Sequence, residues 1–218
     1  MTISVFQHLD WFPELFGTCG GLYVVEELKA IEYPSFVAST DRRVFLKNTR
    51  IALQILNYLS ELETQAEDSF YLCDVKKEHF GLTDSDKIKY LDVDNVYLKP
   101  IADRSVGDTP HCNNHSECDF FDCKGICDKI KHQCLPGVTN NNLQNVCEKI
   151  FQSTTGGGGL LSSNYASSQL IDVVRSCANP TSSKDGTRKL ANSTYMIKLK
   201  SLLTETLSSS TKNSKETF

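Results

Sequence analysis

The sequence predicts an α+β fold, mainly helical, with a few short strands and a disulfide-rich insertion. Three observations carry this. The stretch Phe70 to Lys99, FYLCDVKKEHFGLTDSDKIKYLDVDNVYLK, alternates short apolar runs with turn residues, as a strand, a loop and a hairpin do. On both sides of it, apolar residues recur at three- and four-residue spacings, the period of a helix buried along one face. Six of the nine cysteines fall between Cys112 and Cys147, spaced C-x5-C-x4-C-x3-C-x6-C-x12-C, with Cys19, Cys73 and Cys177 elsewhere.

Residues 11 to 33 are expected to hold two short strands around Gly20-Gly21, packed on a helix, with Glu26, Glu27 and Pro34 ending the second strand. A helix follows, capped by Ser39, Thr40 or Asp41 and carrying Phe45, Ala52, Ile55, Leu56, Leu59 and Leu62 to about Glu63. Thr83 to Asp86 is the turn that joins Phe80-Gly81-Leu82 to Ile88–Leu91; its aspartates do not make an EF-hand, because Lys89 stands where Gly is needed. Pro100 to Pro136 has little periodicity, so covalent links must order it, each contributing roughly 2–4 kcal/mol. Zinc is the competing idea, from His111, His115 and His132, but neither C-x2-C pair of a zinc ribbon is present. Helices are expected from Asn140 to Phe151 and from Ser167 to Cys177. Gly156 to Gly159 lacks the Gly-Lys-Ser/Thr ending of a phosphate loop and is expected to be a surface loop. A polar linker, an amphipathic segment from Met196 to Leu207 and a disordered Ser/Thr/Lys tail complete the chain.

With 218 residues, net charge −4 and no basic stripe, the chain offers no field for nucleic acid. No apolar run is long enough for a membrane span, and MTISVFQHLDWF lacks the pattern of a signal peptide. The cysteines point instead to an oxidising compartment, with Cys112, Cys118, Cys123, Cys127, Cys134 and Cys147 as disulfide candidates. Asn114-His115-Ser116 and Asn192-Ser193-Thr194 are glycosylation sequons with the same implication. An entry signal is then missing from this sequence, as in a fragment, and the odd cysteine is free or paired outside the chain.

The chemistry lies where the strands of the central stretch end. A phosphoryl-transfer site of the protein-kinase type needs an Asp at the acceptor hydroxyl, a metal ligand five positions on, and a later Asp on the metal. Asp74-Val75-Lys76-Lys77-Glu78-His79 supplies the first two, with His79 in the Asn place, and Asp92-Val93-Asp94 the third. FPELFGTCGGLYVVE, YLCDVKKEHFG, YLDVDNVYLKP, CNNHSECDFFDCKGICD and NNLQNVCEKIF, in this order, resemble the divergent protein kinase domain 1 family, the Fam69-like cysteine-rich kinases of the secretory pathway. The resemblance covers most of residues 11 to 177. It implies remnant small-lobe strands and hinge over 1–33, a kinase-like C-terminal lobe over 34–180 that includes the cysteine-rich segment 112–147, and a linker, short helix and tail over 181–218. It further implies that Asp74 is the catalytic base, Lys76 a γ-phosphate contact, Asp92 and His79 metal ligands, and Glu26 to Leu28 the hinge against which adenine binds. ATP with Mg or Mn is the implied cofactor, a protein the substrate or partner, and the endoplasmic reticulum or another secretory-pathway lumen the location; the family is membrane-anchored.

The departures from that pattern lower the expected activity. His79 is a softer ligand than an amide oxygen, and hard Mg²⁺ prefers oxygen. Val93-Asp94 replaces Phe-Gly, and no Ala-Pro-Glu ends an activation segment. Ten residues before Trp11 leave no room for a glycine-rich loop or the strand lysine that clamps the phosphates, so this polypeptide is expected to have little or no kinase activity. Two alternatives stand beside the kinase reading: a non-catalytic, disulfide-stapled interaction module, and an Asp-x-Asp glycosyltransferase built on Asp92 and Asp94.

Overall fold

The computed structural model of the chain describes residues 10–31, 40–65, 70–152, 158–180 and 190–213. Expectations placed on Pro34, Ser39, Gly156, Gly157, residues 181–189 and the last five residues fall outside these.

The first hairpin, β1 (Leu15–Cys19) and β2 (Leu22–Val25), turns at Gly20, whose φ of 59° lies in the left-handed region that glycine enters without strain. It forms where expected but is not packed on a helix: Phe16, Leu22, Tyr23 and Val24 are all exposed. It is held from one end, where Glu26 meets Lys89 and Asp10 meets Lys87 and Lys89. Strand β3 (Lys29–Ala30) pairs with β5 (Phe80–Leu82), which pairs with β6 (Ile88–Tyr90), giving the antiparallel order β3-β5-β6. Gly81 permits the β3 approach, because a Cβ there would lie 2.6 Å from Leu28 Cβ.

Helix α1 (Arg42–Gln65) is the spine of the molecule. Asp41 Oδ1 accepts the Arg43 amide at 2.7 Å and satisfies one of the orphan donors of the first turn. Ile55, Leu56, Leu59 and Leu62 are wholly buried, each side chain contributing about 1.5–3 kcal/mol of apolar burial. Against this stripe pack Trp11, Phe80 and Tyr90 on one side and Leu199 and Leu203 of α5 (Ser193–Asn213) on another, in one continuous core.

Strand β4 (Phe70–Leu72) runs antiparallel to β7 (Val96–Leu98), and its free edge is covered by side chains. Asn142 Oδ1 accepts the Leu72 amide at 2.8 Å, Asn142 Nδ2 donates to the Phe70 carbonyl at 2.8 Å, and Asn145 Nδ2 donates to the Leu72 carbonyl at 3.2 Å. Both asparagines are buried on α3 (Asn142–Val146), which opens on a capping box of Asn141 and Gln144 and continues as a π-helical turn, Cys147–Gln152. The helix expected over Asn140 to Phe151 is therefore present, with its last part wound wider. Helix α4 (Ser168–Ala178), capped by the Ser167 hydroxyl, lies on that turn.

Two elements lie in the segment expected to be irregular. Helix α2 (Lys99–Ser105) begins directly after β7, where Pro100 in the first turn forfeits no hydrogen bond. Strands β8 (Ile126–Asp128) and β9 (Gln133–Leu135) form a hairpin whose Cys127 and Cys134 stand opposite each other yet bond elsewhere. The C-terminal helix also extends past the expected Leu207 into the tail, to Asn213. Hydroxyls along its last turns bond back onto the helix, as Thr206 Oγ1 does to the Leu202 carbonyl at 2.8 Å and Ser208 Oγ to the Thr204 carbonyl at 2.9 Å.

All six cysteines of the cysteine-rich segment are in disulfides, but the pairing is not confined to it. Cys112–Cys127 and Cys118–Cys134 knot the segment internally, whereas Cys73–Cys123 and Cys147–Cys177 tie it to β4 and α4. Cys19 is the free, exposed cysteine.

Candidate functional site

Asp74, His79 and Asp92 come from two loops that the β5–β6 hairpin folds together. Asp74 leaves the end of β4, His79 ends the 3-10 turn Lys77–His79 that leads into β5, and Asp92 follows β6. Backbone bonds fix the register: the Leu91 amide donates to the His79 carbonyl at 2.7 Å, and the Cys73 amide to the Asn95 carbonyl at 3.0 Å. One ligand atom from each of the three side chains then lies within 4.8 Å of the others, and all three residues are half-buried.

The imidazole of His79 is oriented by acceptors. Nδ1 lies 2.8 Å from the Asp74 carbonyl oxygen and 3.3 Å from Asp92 Oδ2. A carbonyl and a carboxylate can only accept, so Nδ1 carries a hydrogen, and in the neutral ring Nε2 then holds the lone pair. Tyr90 Oη donates to the same Asp74 carbonyl at 2.6 Å. Burial, with the carboxylate charges of Asp92 and Asp74 adding to it, pushes the Tyr90 phenol well above its usual range, so it remains a neutral donor. Asp92 Oδ2 also accepts from Asn95 Nδ2 at 3.1 Å.

Lys76 Nζ lies 2.7 Å from Asp74 Oδ2, and this hydrogen bond raises the pKa of the exposed lysine despite some desolvation. Two carboxylates and one imidazole suit a divalent cation, and the imidazole shifts the preference of the set toward Mn²⁺ and its transition-metal neighbours relative to Mg²⁺. Asp94 is exposed and is not among the three residues whose ligand atoms converge.

Of the residues expected at the hinge, Glu26 follows β2 and Leu28 precedes β3. Glu26 Oε2 accepts from Lys89 Nζ at 2.7 Å and from the Glu14 amide at 3.2 Å, so its carboxylate ties the hairpin to the sheet. Burial alone would lower the Lys89 pKa, but the hydrogen bonds it donates to Glu26 and Asp10 outweigh burial and raise it. Leu28 is half-buried against Gly81. Asn114 and Asn192 are both exposed; each accepts the amide two residues on, Ser116 at 3.1 Å and Thr194 at 3.2 Å. Cys112, Cys118 and Cys134 bring three sulfurs together, but all three are in disulfides, and His115 Nδ1 accepts the Cys127 amide at 3.0 Å. Their sulfurs are not available to zinc.

Sequence reasoning missed the residues that hold the site from behind. Asp122 Oδ2 accepts the Val75 amide at 2.8 Å, and its Oδ1 lies 3.1 Å from Lys149 Nζ. Burial works to lower the Lys149 pKa, but the bond to Asp122 wins and raises it. Asn140 Nδ2 donates to the Asp122 carbonyl at 2.7 Å and to Asn145 Oδ1 at 2.6 Å. The available signals were the run of asparagines from Asn140 to Asn145 in an otherwise apolar helix and the acid next to Cys123.

A family model described as the protein-kinase domain of FAM69 matches residues 1–180, most of the chain, and its match ends before α5. The order of strand, catalytic-type loop, hairpin and second acidic loop agrees with that assignment. The chain belongs to the FAM69 family of protein-kinase domains.

Proposed function

We propose that this chain is a divergent protein-kinase-like domain of the secretory-pathway lumen, with Asp74, His79 and Asp92 forming the site for a divalent metal and the phosphates of ATP. The observation that carries the proposal is the convergence of these three side chains from separate loops. Asp74 accepts the hydroxyl proton of the acceptor, and Lys76 balances charge beside it. Asp92 is a metal ligand, steadied by Asn95, and His79 offers Nε2. A bound Mn or Mg ion would supply neutralisation of phosphate charge. Leu28 at the hinge suits an adenine face. Because His79 replaces an oxygen ligand, activity is weak. The four disulfides support a lumenal location, as do the exposed sequons at Asn114 and Asn192, and among the described residues no helix is long and apolar enough to cross a membrane.

A second reading, a non-catalytic module that binds a protein, is favoured by one observation. The disulfide knot displays Phe121, Ile130 and Leu135 to solvent on a frame that needs no apolar core of its own.

Phosphate transfer from radiolabelled ATP, with Mn²⁺ or Mg²⁺, separates the two. Turnover that is lost in Asp92→Ala, together with a metal-dependent ATP shift in melting temperature, is expected for the kinase reading. Neither turnover nor a shift in the wild-type protein would leave the binding module as the account.

A further inference from the structure

Asp122 is given no role by the kinase-like pattern and touches none of the groups assigned to substrate or metal, yet its amide and Oδ2 are spent on the residues either side of Asp74. Its amide donates to the Cys73 carbonyl at 2.7 Å, and its Oδ2 accepts the Val75 amide at 2.8 Å. These two contacts lie on the two peptide planes that flank Asp74: the Cys73 carbonyl belongs to the plane before it, the Val75 amide to the plane after it. The φ and ψ of a residue are the rotations between those planes. One residue that grips both therefore sets the direction in which the Asp74 side chain leaves the backbone.

Asp122 is itself held on three further sides. The Cys73–Cys123 disulfide, with Cα atoms 4.9 Å apart, joins the residue before Asp74 to the residue after Asp122. Lys149 balances the carboxylate from the π turn, and Asn140 binds its carbonyl. Asp122 is buried, so without Lys149 and the Val75 amide its carboxylate would be an uncompensated charge. That much investment in a loop contact is unexplained by the knot, which Cys112–Cys127 and Cys118–Cys134 already close.

We propose that Asp122 is a positioning residue: tethered by the Cys73–Cys123 disulfide, it sets the orientation of the Asp74 carboxylate toward His79 and Asp92. The functional part of this inference rests on the reading of those three residues as a metal site. The cysteine-rich segment then acts on the chemistry through the backbone, a task usually left to packing.

The test compares the oxidised, full chain with Asp122→Ala, Asp122→Glu and Asp122→Asn, measuring peptide-resolved amide hydrogen exchange and Mn²⁺ affinity by electron paramagnetic resonance. Asp122→Ala is expected to raise exchange at Val75 about tenfold, the equivalent of one lost hydrogen bond, with α1 and α4 unchanged. Mn²⁺ affinity should fall about 10–100-fold, as when outer-shell support of a metal ligand is removed. Asp122→Asn keeps an acceptor for the Val75 amide and should restore exchange, which a role confined to overall stability would not predict. Asp122→Glu displaces the acceptor by one methylene, keeps the charge for Lys149, and is expected to loosen Val75 even where the alanine variant does not fold. Wild-type exchange at Val75 in Asp122→Ala and Asp122→Glu, or a rise shared equally by α1, overturns the proposal. No Mn²⁺ binding by the wild type would defeat the metal-site reading instead, and the exchange comparison would still decide what Asp122 does.

Discussion

In the proposed site the Nδ1 of His79 is committed to the Asp74 carbonyl and the Asp92 carboxylate, which leaves Nε2 to offer a metal. His79→Asn replaces that nitrogen by a hard oxygen. The Mg²⁺-dependent ATP shift in melting temperature should rise in this variant and the ratio of Mn²⁺ to Mg²⁺ affinity should fall, by titration calorimetry; an unchanged ratio would show that His79 does not contact the ion. At the other side of the sheet, burial tends to raise the Asp10 pKa, but hydrogen bonds from Lys87 and Lys89 outweigh it and hold the carboxyl below its ordinary value. A depressed carboxylate contributes stability above its unfolded pKa of about 3.9 and loses it as pH falls through the lower folded value. Asp10 is well exposed, so Asp10→Asn should cost under about 1 kcal/mol at neutral pH. Its urea midpoint should converge with that of the wild type as pH falls below the ordinary carboxylate range; a gap that stays constant through that fall would contradict the assignment.

At the scale of elements, the site depends on a strand edge closed by amide side chains. Asn142 supplies one acceptor and one donor to β4, in place of a neighbouring strand. Asn142→Leu or Asn142→Ala leaves the Leu72 amide without its partner in a buried setting, at a cost of about 2–3 kcal/mol by urea unfolding. Retention of full stability in Asn142→Ala would mean that the edge finds another partner. The sequence displayed the hairpin, the α1 stripe and the capped helix of α4, since each is encoded by local period and local turn chemistry. It concealed α2 and the β8–β9 hairpin, because elements of seven and three residues are too short to show a period and owe their place to disulfides and to β7.

For the molecule as a whole, two of the four disulfides join parts far apart in sequence. Cys147–Cys177 spans 30 residues and fastens α4 to the π turn behind the site, with both cysteines wholly buried. Replacing both by Ser should cost about 3–4 kcal/mol from loop entropy alone, more if the buried hydroxyls find no partners. Urea unfolding of the double variant against wild type measures this, and a loss under about 1 kcal/mol would show that packing of α4 suffices. Helix α5 lies beyond the family match yet completes the core on α1 through Leu199 and Leu203, with Lys200 Nζ donating to Ser60 Oγ at 2.7 Å. The amphipathic segment expected from Met196 to Leu207 thus packs into the core.

By itself the sequence determined where the acids stand relative to their strands: Asp74 after Tyr71, Leu72 and Cys73, and Asp92 after Ile88, Tyr90 and Leu91, with spacing enough to suggest a phosphate-handling lobe. It also determined that cysteines, not an apolar core, order the segment from Cys112 to Cys134. Only the tertiary structure decided which cysteines pair, that the Glu26 carboxylate serves Lys89, and that Asp122 grips the backbone on both sides of Asp74. The reason is that a side-chain period reports burial along one element, whereas a pairing between residues some 50 positions apart, as Cys73 with Cys123, is set by how the elements meet.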